Sequence, residues 1–329
     1  MNKNGDKNCY FLLTMDCERI QNKGFYPAGP LSWRESEENI ISFAQTALAF
    51  GYKATFFAVP EAAEQHADIF RGLIRCGHEV GLHLHPDTFR LGINEYLGNL
   101  PYNIQYKIIK DARDVFESAM GFLPTSFRSG YFSANQDTFR ALEVLGFKGG
   151  SSVMPGRHLK ESGSDWEGWP RCCHYINSYF EVPVTVRYVN RIMFGRFFVQ
   201  TLVHLMIRGL FFTAIKKAAY LSSRNSTFKT RNSKFLLDLR IENCEHTTLR
   251  GIIIAELKRM KKEEIFPVLT SLTHSYTNYT NRSHRKHDYG RSRSKCLMRL
   301  LGEMNNLQDI TVKSMTLSEL QNEYDRTDQ

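Results

Sequence analysis

Short apolar stretches alternate with amphipathic ones through the first 145 residues, and this rhythm constrains the fold most. Residues 10–15 read as a buried strand that delivers Asp16 and Glu18 at its C-terminal end. Residues 35–50 have helical spacing, with Ile40, Phe43, Ala44, Ala47 and Leu48 on one face and Gly51 as the stop. A second strand is expected over 53–59, and Pro60 opens a second helix that ends at Gly77. Val80, Leu82 and Leu84 then alternate with Gly81, His83 and His85, the period of a strand, until Pro86 stops it. Helices over 102–120 and 135–145 flank a short strand that ends at Arg128. Further extended segments are read at 147–153, 179–185 and 266–273, the last ending at His274, with closing helices over 298–304 and 317–324. Strand–helix alternation favours parallel strands joined by helical crossovers. In a β/α barrel all strand C-termini share one face, where sites form. Asp16, Glu18, His83, His85, Arg128 and His274 would all meet there.

Side chains two apart on a strand point the same way, so His83 and His85 project together. Paired imidazoles at a strand end suit a metal such as zinc, although two polar residues ending a strand need no ion. His78, in the same stretch, reads as a structural histidine. The seven cysteines are scattered and odd in number, with no CxxC pair, so neither a disulfide frame nor a thiolate zinc site is indicated. A reducing cytoplasm is the simplest compartment. No stretch at the start reads as a secretory signal, and no apolar run approaches the length of a membrane span. The net charge of +9 is concentrated in 187–262 and 282–295, and neither stretch carries a nucleic-acid-binding motif.

Six stretches, in order, resemble the polysaccharide deacetylases, within the branch whose first motif is Asp-x-Glu or Asp-x-Asp and whose second is His-x-His-Pro. They are Thr14-Met15-Asp16-Cys17-Glu18, then Gly51-Tyr52-Lys53-Ala54-Thr55-Phe56-Phe57, then Gly77-His78-Glu79-Val80-Gly81-Leu82-His83-Leu84-His85-Pro86, then Phe127-Arg128-Ser129-Gly130-Tyr131, then Glu181-Val182-Pro183-Val184, and finally Leu272-Thr273-His274. The resemblance implies an α/β fold, a distorted NodB-like (β/α) barrel of about seven strands. It also implies metal-assisted hydrolysis of an N-acetyl group. By that resemblance Glu18, His83 and His85 hold a divalent ion, zinc or else cobalt, manganese or iron. Asp16 is then the base, Arg128 its partner and His274 the general acid. Asp165 is our candidate for the carboxylate beside His274. Tyr131 matches the residue whose backbone N–H binds the oxyanion, and Trp166 is a candidate sugar-stacking wall or, equally, core filling. The chain departs from the family pattern in three ways: its histidines are two apart rather than four, Glu18 stands in place of a shorter Asp, and Gly150 precedes Ser151-Ser152 where branch members often carry Asp. The expected substrate is an N-acetylated sugar in a cell-surface polysaccharide or glycolipid precursor. A related amidohydrolase acting on a formyl or ureide C–N bond, and a non-catalytic carbohydrate binder, are the alternatives.

Residues 1–329 are expected to form one barrel domain with 187–262 as a basic helical insertion. Within it, 191–220 has helical spacing, with Phe194, Phe197, Leu202, Leu205 and Phe212 among its apolar residues. Such a helix either packs on the barrel or lies against anionic lipid, which would place a cytoplasmic protein peripherally at the inner membrane face.

Overall fold

A computed structural model of the chain describes residues 8–21, 29–87, 93–189, 235–242, 246–280 and 292–328. The first half alternates as expected, except that the helix read from Pro60 breaks at His66 into two: β1 (Asn8–Cys17), α1 (Trp33–Ala49), β2 (Ala54–Ala58), α2 (Pro60–Gln65), α3 (Ala67–Arg75), β3 (Glu79–Leu84), α4 (Tyr102–Met120), β4 (Ser126–Ser129) and α5 (Gln136–Val144). Shorter strands follow: β5 (Gly149–Gly150), β6 (His158–Leu159), β7 (Ser164–Asp165), β8 (His174–Ile176), β9 (Tyr179–Glu181), β10 (Val186–Val189) and β11 (Phe235–Asp238). The chain then runs through α6 (His246–Glu263), β12 (Val268–Thr270), β13 (Thr273–His274), α7 (Ser294–Asn305), β14 (Thr311–Ser314) and α8 (Leu317–Asp328). The amphipathic 191–220 segment lies outside the described residues, as does 282–291 of the second basic stretch.

The principal sheet runs β12-β1-β2-β3-β4-β5-β9-β8 and curls into a half-barrel, with β13 and β14 also pairing β1. Every pairing in it is parallel except the β8–β9 hairpin. The expected seven strands are thus exceeded. The segment read as one strand over 266–273 breaks after Thr270 into β12 and β13, both on β1. The closing helices α7 and α8 form as read, with β14 between them.

Alternation along β1 sends Phe11, Leu13 and Met15 outward into the main core with Phe43, Phe56 and Leu301. Tyr10 and Leu12 point into the barrel, where they pack with Phe57, Phe180, Val182 and Val268. Leu317 and Leu320 of α8 join that inner cluster and plug the barrel beneath the strand C-termini. Thr14 and Asp16 continue the inward row of β1, fully and almost fully buried.

Helix ends follow local chemistry. Ser32 caps α1 by accepting from the Glu35 N–H at 3.1 Å, and Asn135 with Thr138 forms a capping box on α5. His78 is structural as read: its Nδ1 accepts the Ala54 N–H at 2.9 Å, tying the start of β2 to β3. Burial lowers both His66 and His78 from 6.5 to about 4. Both are therefore neutral in the folded protein, whereas the unfolded chain takes up protons below pH 6.5. Above pH 6.5 they cost nothing; between pH 6.5 and 4 each should remove stability, on the order of 1–3 kcal/mol over the full span. The drop in urea midpoint from pH 7 to pH 5 should shrink in His66→Phe, and an unchanged drop would contradict this.

Candidate active site

Strand register brings the polar ends together. His83 on β3 lies opposite Arg128 on β4, and Asp16 on β1 lies opposite His274 on β13. Three atoms then converge among the described residues. His83 Nε2 and His85 Nε2 are 3.0 Å apart, and Glu18 Oε1 lies 3.4 Å from the first and 3.3 Å from the second. All three side chains are buried. The His83 Nδ1–H donates to the Arg128 carbonyl at 2.8 Å, which leaves the Nε2 lone pair facing the other two ligand atoms.

This set fits a metal ion. Ligand atoms about 2.1 Å from one ion sit about 3.0 Å apart at right angles and about 3.4 Å apart at the tetrahedral angle. The three observed separations fall in that interval. The buried charges also act on one another. Burial alone would raise the Glu18 carboxyl, yet His85 and His83 hold it well below its ordinary value. Burial would lower His83, yet Asp16 and Glu18 raise it. The His-x-His spacing and the longer Glu18 still bring three possible ligand atoms within reach of one another. Its close quarters also dictate Gly130: a Cβ there would lie 2.5 Å from His85 Nδ1.

Asp16 stands beside this cluster without joining its ligand triangle. Its Oδ2 lies 3.9 Å from His83 Nε2 and 3.9 Å from His274 Nε2. Its Oδ1 accepts from Arg128 Nη1 at 2.8 Å. Arg128, fully buried, also donates from Nη1 to Thr14 Oγ1 at 2.8 Å and from Nε to the Ser151 carbonyl at 2.9 Å, with its guanidinium 4.4 Å over the Phe57 ring. The ends of β1 and β13 are locked by Ser275, whose N–H donates to the Asp16 carbonyl and whose Oγ accepts the Glu18 N–H.

His274 lies across Asp16 from Arg128, but its carboxylate is Glu242 and not Asp165. His274 Nδ1–H donates to Glu242 Oε1 at 2.6 Å, and the His274 N–H donates to Oε2 at 3.0 Å. Thr273 and Thr277 hydroxyls also donate to Oε2, at 2.8 and 3.0 Å. Burial raises the Glu242 carboxyl, but the His274 imidazole and these bonds bring it down to about 2. Asp165 sits instead on the β6–β7 hairpin, its side chain 42% exposed, paired with His158 at 2.8 Å. Glu242 follows Leu239, Arg240 and Ile241 in alternation, and that pattern was the only signal for it.

Trp166 is core, not a sugar platform. It is 1% exposed, its Nε1–H donates to the Phe132 carbonyl at 2.8 Å, and its ring meets Trp169 edge-on. It thereby braces the turn holding Tyr131, whose φ of 57° is left-handed. The Tyr131 ring lies edge-on to His85 with centroids 4.5 Å apart, and its hydroxyl donates to Asp87 Oδ2 at 3.2 Å. The Tyr131 side chain thus lies beside the cluster. Tyr276 is stacked on His274 with ring centroids 4.8 Å apart and was not singled out from the sequence.

Fold and site together define a class by geometry: a half-barrel with an acid-and-imidazole centre at its strand C-termini. The family model for polysaccharide deacetylase matches residues 35–150, which span α1 to β5 and include His83, His85, Arg128 and Tyr131. The resemblance to polysaccharide deacetylases read from the motifs is thereby borne out. A candidate polysaccharide deacetylase from Mycobacterium smegmatis shares the fold, with TM-score 0.58, 16% identity and coverage of 100% of this chain and 94% of that one. A second, from Pseudomonas aeruginosa PAO1, has TM-score 0.57, 12% identity and coverage of 98% and 93%. Puue allantoinase aligns equally well, with TM-score 0.57, 12% identity and coverage of 98% and 92%. No curated protein matches the chain. Among the described residues no helix is long and apolar enough to cross a membrane.

Proposed function

We propose that the chain is a metal-dependent deacetylase acting on an N-acetylated sugar of a polysaccharide or glycolipid precursor. The observation that carries this reading is the buried Glu18–His83–His85 triangle with Asp16 and His274 beside it, their nearest atoms 3.9 Å apart. A divalent ion held by that triangle, zinc or else cobalt, manganese or iron, would supply polarisation of the amide carbonyl and a more acidic water. Asp16 takes the proton from the attacking water, held in direction by Arg128. His274 carries the proton delivered to the departing amine, and Glu242 keeps that proton-carrying ring oriented through Nδ1. The Tyr131 backbone N–H supports the developing oxyanion.

Acetate release from N-acetylated sugars, oligosaccharides and nucleotide sugars tests the reading. Chelation should abolish release and a divalent metal should restore it. Release that persists in metal-free protein would overturn it. The likeness to an allantoinase makes cleavage of a ureide the second reading, and mass spectrometry of the products separates the two.

A further inference from the structure

The Glu181-Val182-Pro183-Val184 stretch has no part in the steps above, yet Glu181 is completely buried. It ends β9 opposite Gly150 of β5. Its Oε1 accepts two backbone N–H groups, from Ser152 and Val153, both at 2.8 Å. The Ser152 N–H belongs to the same peptide unit as the Ser151 carbonyl, and that carbonyl accepts Arg128 Nε–H at 2.9 Å. Peptide units are rigid and planar. Glu181 and Arg128 therefore grip the two ends of one plate, and Arg128 grips Asp16 with its Nη1.

We propose that Glu181 is a positioning residue: by anchoring the Ser151–Ser152 peptide it fixes Arg128, and through Arg128 the direction of the Asp16 carboxylate. The planar guanidinium makes this transmission stiff, because fixing Nε fixes where Nη1 points. The anchor must come from β9. At Gly150 a Cβ would lie 2.0 Å from both the Phe127 carbonyl oxygen and the Tyr179 hydroxyl, so the turn itself has no room for a side chain there. Burial pushes the Glu181 carboxyl up to about 8, against the two backbone N–H groups and Arg128. At neutral pH its hydrogen-bond acceptance, more than its charge, holds the peptide, so an amide should serve nearly as well.

The role rests on the deacetylase reading, and the test separates the two. In Glu181→Ala and Glu181→Asp, kcat should fall about tenfold or more with KM within about twofold, while Glu181→Gln should stay within about threefold of the unmodified protein. The Arg128 Nε–H NMR resonance, assigned by its disappearance in Arg128→Lys, should move in the Ala and Asp variants and hold its place in the Gln variant. The resonance is readable whether or not the protein releases acetate, so absence of activity would strike only the deacetylase reading. A kcat and an Arg128 resonance unchanged in Glu181→Ala overturn the proposal, as they do in Glu181→Asp if the Ala variant does not fold. A Gln variant as impaired as the Ala variant overturns it as well.

Discussion

His83→Ala is expected to eliminate metal-dependent acetate release while leaving the barrel folded. The variant removes one corner of the ligand triangle and leaves Glu18 and His85, which touch at 3.3 Å, as a two-ligand remnant. Losing the ion forfeits several kcal/mol of transition-state stabilisation, about 1000-fold in rate. The backbone carbonyl of Arg128 loses its Nδ1–H donor, a bond of about 1 kcal/mol, so the thermal midpoint should shift only modestly. Metal content by elemental analysis, acetate release and the melting curve are measured together. A variant with full activity and no bound metal would remove the case for the triangle as a metal centre.

Asp16→Asn should leave the metal and remove the base. The amide oxygen can still accept from Arg128 Nη1, so that contact persists, but the buried guanidinium loses its anionic partner. We expect kcat to fall between about 100-fold and 10,000-fold with KM little changed, since proton transfer from water occurs only in the chemical step. The stability cost should be larger than for His83→Ala, on the order of 2–4 kcal/mol, because a buried charge left without its counter-charge is expensive. Metal content equal to that of the unmodified protein would separate this defect from the first. An Asn variant that releases acetate at an undiminished rate would exclude Asp16 as the base.

The two variants probe features that differ in how readily the sequence showed them. His83 and His85 share a face because of the period-two geometry of a strand, a purely local property, and their pairing could be read directly. Asp16 and Glu18 were legible as the polar end of an apolar strand, and the ends of parallel strands were bound to converge. Glu242 was not legible. It is 32 residues before His274, it lies inside the basic stretch 187–262, and its strand-like approach along Leu272 brings it to the imidazole. Asp165 departs from its reading for the converse reason, and of the two readings open for Trp166 the structure takes core filling. They sit near each other in sequence, but the β6–β7 hairpin turns the acid toward His158 and the core takes the indole.

The amino-acid sequence by itself determined which side chains share a face and which strand ends carry chemistry, because backbone periodicity needs only neighbours. The tertiary structure alone decided which groups meet across strands. Register places Asp16 against His274 and His83 against Arg128, and the third dimension supplies Glu242 to His274 and Glu181 to the Ser152 and Val153 N–H groups. Those choices depend on contacts between residues far apart in the chain. Their selection is made by packing and by the need of each buried polar group for a partner.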